Sequence, residues 1–206
     1  MRAERLILPA LALVALLFIV PAGELLSRSV SEPPGGTHHY EQFLGSASLV
    51  KILLRSAWTA LVVTAVSLLL AYPVAYAAAT SSKGIRTLIL GTIAASLFIS
   101  IVVRGYAWLA ILDRNGVLNT VLDGIGLGGL KTTLVHNFAG VVIGMVQYGI
   151  PFMVLALYDS MRRFDRTLAA ASANLGARPS VTFLKVYLPL TRPGIGAGCT
   201  IVFIAT

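Results

Sequence analysis

Four long stretches of this chain carry no charged side chain, and they restrict the fold more than any other feature of the sequence. They cover residues 6–23, 56–82, 87–103 and 132–158, with lengths of 18, 27, 17 and 27 residues. A helix needs ~20 mostly apolar residues to cross the hydrocarbon core of a bilayer. One Lys, Arg or Asp at its centre costs about 2.5–3.5 kcal/mol on insertion scales. The sequence therefore predicts an all-α integral membrane protein.

Composition supports the same class, because hydrophobic residues make up 57% of the chain and charged residues only 12%. Soluble domains carry roughly 25% charged residues. We expect a single transmembrane domain over residues 1–206, and its spans are predicted at residues 6–23, 57–79, 87–110, 134–158 and 193–206. The last span is incomplete, because its 14 residues form a helix of ~21 Å and the hydrocarbon core is ~30 Å thick. We therefore expect a fragment or a truncated product, with a natural short variant as the alternative.

The positions of the basic residues predict the orientation. With a cytoplasmic N-terminus, ten Lys and Arg residues flank the spans on the cytoplasmic side and six lie on the other side. Cytoplasmic loops of membrane proteins carry the excess of Lys and Arg. We therefore assign the net charge of +8 to membrane orientation and anionic lipid rather than to nucleic acid. A cleavable signal peptide ending near residues 20–22 is the alternative for the first span.

Residues 159–192 form a polar, basic segment between the last two apolar stretches, and we call it the docking loop. Apolar residues recur at helical spacing in its first half: Met161, Phe164, Leu168, Ala171 and Leu175. Gly176 then stands where the C-terminus of a helix favours a left-handed residue, and Pro179 suits the first turn of a new helix. A second apolar stripe follows at Val181, Leu184 and Leu188, and Pro189 and Pro193 are expected to end that helix. The pattern predicts an amphipathic helix–turn–helix that docks onto a partner in water.

The docking loop resembles the cytoplasmic EAA loop of the permeases of binding-protein-dependent ABC importers, which contains E-A-A-x-x-x-G and, further on, I-x-L-P. The matching residues here are Ala170, Ala171, Ser172, Gly176, Phe183, Leu188 and Pro189, followed by Pro193, Gly194 and Ile195. Upstream, residues 70–76, 103–108 and 115–119 make the chain most similar to the spermidine/putrescine branch. The chain departs from the family in having Ala170 for the acidic residue, Ser172 for the second small residue and Arg178 for a serine. These departures change the charge contacts of the loop and not its expected shape.

The resemblance implies the transmembrane fold of type I ABC importers, the MetI-like class, and a permease subunit for a small polar solute, with a polyamine such as spermidine or putrescine expected. It implies that the loop couples the permease to separate ATP-binding cassette ATPase subunits, which would bind ATP, so that this chain needs no cofactor of its own. A second permease subunit, an extracytoplasmic solute-binding protein and the bacterial cytoplasmic (inner) membrane are implied as well. The coupling residues are expected to be Ala170, Ala171, Ser172, Gly176, Ala177, Arg178, Pro179, Phe183, Leu184 and Pro189.

Five polar or aromatic residues in the third and fourth spans are candidates for lining a passage: Arg104, Tyr106, Trp108, Gln147 and Tyr148. Polar groups at membrane depth usually face a bundle interior or an aqueous cavity. Trp and Tyr also favour the headgroup region, which leaves an interfacial belt as the alternative. None of the spans contains a carboxylate. This argues against a polyamine site inside the membrane and against an ion-coupled carrier or channel, the alternative function.

The sequence offers neither a catalytic nor a metal site. The glycine run at residues 124–129 matches G-x-G-x-x-G, but it lies between spans and not in a βαβ unit. A phosphate-binding loop requires Gly directly before Lys131, where Leu130 stands. The histidines, at positions 38, 39 and 136, lack cysteine or spaced carboxylate partners, and Cys199 is single. We expect a transporter subunit and not an enzyme.

Overall fold

The computed structural model describes residues 2–31, 36–126, 134–135 and 137–206, and the side chains of these residues except 2–12, 39, 166, 169, 170, 173 and 179. The described residues form helices and no strand. In chain order these are α1 (Arg2–Ser31), α2 (His38–Gly45), α3 (Ala47–Thr80), α4 (Lys83–Leu97), α5 (Ile101–Leu112), α6 (Val117–Gly124), α7 (Phe138–Arg162), α8 (Arg166–Asn174), α9 (Pro179–Thr182), a π-helical turn (Phe183–Tyr187), α10 (Leu188–Leu190) and α11 (Arg192–Ala205). The predicted all-α membrane class is confirmed.

Three of the described helices are long and apolar enough to cross a membrane, and the number rises to five if each of two bent helix pairs is one span. The three are residues 13–31 of α1, α3 and α7. The helices extend beyond the predicted spans, since α3 begins at Ala47 and α7 ends at Arg162. His136 and residues 127–133 of the glycine-rich segment lie outside the described residues.

The chain divides into two compact units, residues 1–56 and 57–206. The first contains α1, α2 and the start of α3. Within it Arg28 pairs with Glu24 at 2.6 Å, one helical turn apart, and the hydroxyls of Ser29 and Tyr40 lie 2.9 Å apart. These contacts pair exposed polar side chains near the end of α1 and in α2.

The core of the second unit lies where α7 packs along α11, and glycines permit the close approach. A Cβ atom on Gly198 would lie 2.6 Å from Met153 Sδ, and one on Gly194 would overlap Ser160. Met153 and Val202 are fully buried between the two helices. Small residues allow helix backbones to approach closely in lipid, where packing rather than the hydrophobic effect drives association.

The helix predicted over residues 87–110 is interrupted, which corrects the prediction of one continuous span. It breaks between Leu97 and Ile101 with a bend of 98°. Ser100 has an extended backbone there, with φ −54° and ψ 137°. The surrounding β-branched residues at positions 99 and 101–103 have low helix propensity, which makes the break inexpensive. Arg104 Nη2 donates a hydrogen bond of 2.6 Å to the Ser96 carbonyl, one of the last carbonyls of α4, which the helix itself leaves without a donor.

Pro189 does not end the second helix of the docking loop, contrary to the prediction. The chain stays helical from Pro179 to Leu190, and a π-helical turn at Phe183–Tyr187 precedes the proline. The wider turn leaves room for the proline ring, which in an α-helix would collide with the carbonyl four residues earlier. The direction changes only at Thr191, where α11 departs at 61° with Pro193 in its first turn.

Candidate docking site

The turn of the docking loop depends on Gly176. Its φ is +76°, the left-handed conformation that costs other residues roughly 1–2 kcal/mol. Ala177 N–H donates to the Ser172 carbonyl at 3.2 Å, the outer hydrogen bond of a Schellman-type helix end, and Leu175 N–H makes the last ordinary helical bond to the Ala171 carbonyl at 3.1 Å. No atom lies within 4 Å of a Cβ built on Gly176. The backbone conformation, and not space, therefore requires glycine here, as the sequence predicts.

The two helices beside this turn begin at capping residues. Asp165 Oδ1 accepts a hydrogen bond of 2.9 Å from Thr167 N–H, so Asp165 caps α8. The hydrogen bonds from the backbone and the side chain of Thr167 lower the pKa of the exposed Asp165 carboxyl from its ordinary value. On the other side of the turn α9 begins at Pro179, the first-turn position predicted for it.

A pair of hydroxyls joins the two helices. Ser172 Oγ lies 2.8 Å from Thr182 Oγ1, a hydrogen-bonding distance across the turn. Sequence reasoning missed Thr182. The signal in the sequence is a hydroxyl ten residues from Ser172. It predicts a contact only if the chain turns back at Gly176.

The apolar stripe of the loop is largely exposed. Met161 is buried and Phe164 half-buried, but Leu168 is 45% and Leu175 88% exposed. In the second helix, Val181 and Leu184 are exposed as well, at 38% and 59%. These four residues, Leu168, Leu175, Val181 and Leu184, make up what we call the exposed apolar face.

The remaining predicted coupling residues lie around this face. Ala171 and Arg178 are exposed, and Ala177, Phe183 and Pro189 are half-buried. The side chains of Ala170 and Pro179 lie outside the described part of the structure. The prediction that Val181, Leu184 and Leu188 form one stripe is corrected, because Phe183 and the buried Tyr187 are the residues that point into the protein.

Five aromatic rings attach the docking loop to the end of α3, and we call them the aromatic anchor: Tyr72, Tyr76, Phe164, Phe183 and Tyr187. Phe183 meets Tyr72 and Tyr76 edge-on, with ring centroids 5.9 and 6.0 Å apart. Tyr187 lies 5.2 Å from Tyr76 and 4.8 Å from Phe164. Such pairs contribute roughly 0.5–1.5 kcal/mol each beyond the area they bury.

A polar contact reinforces the anchor, since the hydroxyls of Tyr72 and Thr191 lie 3.2 Å apart. In the sequence, Tyr72 and Tyr76 contribute only to the resemblance to the spermidine/putrescine branch. No role is predicted for Tyr187 or Thr191. The available signal was the spacing of the two tyrosines, which places them on one face of a helix.

Four of the five predicted passage residues come together in a groove of about 380 Å³ or beside it. Trp108 Nε1 donates to Gln147 Oε1 at 3.1 Å, and the Arg104 guanidinium lies 5.7 Å from the centre of the Tyr148 ring, within the range of a cation–π contact. Tyr106 is 70% exposed and does not line the groove. A passage-lining role for these residues stays a prediction.

Comparison with known proteins gives several relatives, although no protein-family model matches the chain. The spermidine/putrescine transport system permease protein PotB of Escherichia coli K12 is 34% identical over 154 residues, which cover 75% of this chain and 56% of that protein. The inner membrane ABC transporter permease protein YdcU of the same organism is 34% identical over 167 residues, covering 75% and 53%. The molybdenum transport system permease protein ModB of Mycobacterium bovis is 30% identical, covering 73% and 55%. The chain spans about half the length of the curated relatives it matches.

Proposed function

We propose that this chain, a member of the ABC transporter permease family as its relatives show, is part of the transmembrane permease of an ATP-driven importer. The docking loop would couple it to separate ATP-binding cassette ATPase subunits. The observation that carries this proposal is the pairing of an exposed apolar face with a buried aromatic anchor. Leu175 is 88% exposed on the outer side of the loop, whereas Tyr187 is 8% exposed on its inner side.

An exposed apolar face of this kind marks a protein interaction site. A cleft on the ATPase would cover Leu168, Leu175, Val181 and Leu184. The hydrogen bond between Ser172 and Thr182 holds the two helices of the loop as one body. Movement of the ATPase would therefore displace the loop as a unit and not bend it.

The aromatic anchor would pass this displacement to the membrane helices. Phe183 and Tyr187 contact Tyr72 and Tyr76 near the end of α3, and α11 follows the loop directly and packs on α7. A push on the loop would thus tilt packed helices together, which is how rigid-body rocking alternates access to a central site.

The cargo we propose is a polyamine, spermidine or putrescine, because the PotB relatives carry that name and share 34% identity with this chain. Residues 13–23, 56–82, 87–103 and 137–158, the charge-free parts of the described helices, contain no carboxylate to hold a cation, so selection would fall to an extracytoplasmic solute-binding protein. A second permease subunit would complete the passage, and ATP would bind only to the ATPase subunits. The location is the inner membrane, with the N-terminus in the cytoplasm. The ion-coupled carrier or channel has no observation in its favour.

The test is uptake together with co-purification. The full-length protein should be expressed together with an ATP-binding cassette ATPase encoded beside its gene. It should retain that ATPase on affinity purification and support uptake of labelled spermidine. Leu184→Asp should abolish both, because it places a charge on the exposed apolar face. Leu44→Asp is the matched control, since Leu44 is 69% exposed on α2 outside the loop. Loss of ATPase in the control, or its retention by Leu184→Asp, would contradict the proposal.

A further inference from the structure

A cavity of about 580 Å³ lies where the docking loop meets the ends of the membrane helices, and we call it the inner pocket. Its walls include Tyr76 and Thr80 at the end of α3, Arg86 in α4, and Tyr158 and Arg162 at the end of α7. The volume is in the range of small-ligand sites, ~300–1,000 Å³. The pocket belongs neither to the exposed apolar face nor to the groove beside Arg104.

The pocket is cationic. Two of its lining residues are arginines and none is acidic. The nearby carboxylates of the described chain are engaged elsewhere, because Asp159 pairs with Arg163 at 2.8 Å and Asp165 caps α8 through Thr167. Two guanidinium groups without a carboxylate between them favour an anionic ligand.

The Arg86 side chain is held in place by the turn between α3 and α4. Its Nε and Nη2 each donate a hydrogen bond of 3.3 Å, to the carbonyls of Ala78 and Ser81. Its Nη1 makes no hydrogen bond to the described residues. A guanidinium fixed on one side and open on the other suits bidentate contact with phosphate oxygens.

The pocket lies at the level of lipid headgroups. Thr80 is the last residue of α3 and Arg162 the last of α7, two helices that are long and apolar enough to span a membrane. The excess of basic residues predicts that these ends lie on the cytoplasmic side. Basic pockets between transmembrane helices on this side bind phospholipid headgroups.

We propose that the inner pocket binds the phosphate of an anionic phospholipid from the cytoplasmic leaflet, with Arg86 and Arg162 as its cationic ligands. Phe164 and Tyr187 of the aromatic anchor form part of the wall. A bound headgroup would therefore fill the space at the root of the docking loop and hold the loop in position. The inference does not depend on the identity of the cargo or on the ATPase.

The experiment is a titration of the detergent-purified full-length protein with phosphatidylglycerol and with neutral phosphatidylcholine, followed by native mass spectrometry. The wild type should bind phosphatidylglycerol about tenfold more tightly or better, since a charge-assisted hydrogen bond corresponds to roughly tenfold in affinity. The double variant Arg86→Gln/Arg162→Gln should lose this preference. Lysine at both positions should restore part of it, because the charge returns without the planar fork.

The matched control is Lys83→Gln/Lys185→Gln, which removes the same charge from exposed positions that do not line the pocket and leaves the pair between Asp159 and Arg163 intact. It should keep the preference for phosphatidylglycerol. Equal loss in both double variants would overturn the proposal, because it would show attraction to net charge alone. Arg162→Gln by itself guards against misfolding, since Arg162 is exposed, and unchanged binding by this variant would also overturn the proposal.

Competition with excess inorganic phosphate distinguishes a phospholipid headgroup from free phosphate as the ligand. It should leave phosphatidylglycerol bound, because free phosphate lacks the acyl chains that lie in the bilayer. Complete displacement of the lipid by phosphate would contradict a lipid site and indicate a site for the free anion.

Discussion

Ser172 and Thr182 lie on opposite sides of the turn at Gly176, with their hydroxyl oxygens 2.8 Å apart. The pair ties α8 to α9 without using the backbone, so the angle of the docking loop depends on two side chains as well as on the glycine. A net hydrogen bond of this kind contributes roughly 0.5–1.5 kcal/mol.

Ser172→Ala and Thr182→Ala should each loosen the loop, and the double variant should be no looser than either single one, because the same contact is lost in all three. Hydrogen exchange of the amides in residues 166–182 measures this. Thr200→Ala is the control, since the Thr200 hydroxyl donates to the Gly196 carbonyl within its own helix. Additive effects of the two substitutions would show that the hydroxyls do not interact.

Gly176→Ala should destabilise the turn by roughly 1–2 kcal/mol, the cost of the left-handed conformation in a residue with a Cβ atom. Gly84→Ala is a matched control. Both glycines have open space for a Cβ atom, but only Gly176 has positive φ. We expect faster proteolysis of the docking loop in Gly176→Ala than in the wild type, and an unchanged rate of proteolysis in Gly84→Ala. Equal behaviour of the two variants would mean that the turn tolerates a side chain.

Replacement of Tyr187 by Ala should detach the docking loop from α3, because Tyr187 contacts both Tyr76 and Phe164. Removing a buried aromatic ring costs about 3–5 kcal/mol. In the full-length transporter we expect Tyr187→Ala to keep the ATPase bound but to lose solute uptake. Tyr106→Ala, which removes a ring that is 70% exposed, should keep both. Normal uptake by Tyr187→Ala would exclude the anchor as the coupling path.

The cap at Asp165 makes the start of α8 sensitive to pH. Because its hydrogen bonds with Thr167 lower the pKa of Asp165 below the ordinary 3.8, the cap stabilises α8 above that pH. The stabilisation is lost as the pH falls through the lowered value. Asp165→Asn keeps an acceptor that does not titrate. The protection of the Thr167 amide should therefore fall on acidification in the wild type and stay level in Asp165→Asn, when the two are compared at each pH by hydrogen exchange.

Local features of the docking loop could be predicted from the sequence because each depends on nearby residues. Gly176 and Pro179 act through their own backbone conformations, and both lie as expected. The inward face of the second helix could not be predicted. It depends on a π-helical turn at Phe183–Tyr187, which changes the residue spacing, and on tyrosines more than one hundred residues earlier.

The break in the third span was hidden for a different reason. A charge-free window reports that a segment is apolar, but a bend needs only a change in backbone direction. The interaction that stabilises this bend, between Arg104 and the Ser96 carbonyl, becomes evident only in the folded chain. The hydrogen bond between Trp108 and Gln147 likewise could not be predicted from their separation in the sequence, since the two residues lie on different helices.

Cross-linking from Leu184 tests most directly whether the docking loop binds an ATPase. In a Cys199→Ser background, which removes the one cysteine of the sequence, Leu184→Cys would be treated with a short bifunctional maleimide in cells that also contain an ATPase with a single engineered cysteine in its permease-facing cleft. We expect a cross-linked species of the combined mass, and none from Leu44→Cys on α2. Labelling of Leu184→Cys by a membrane-impermeant maleimide added outside the cell, with no cross-link to the ATPase, would contradict the proposed coupling.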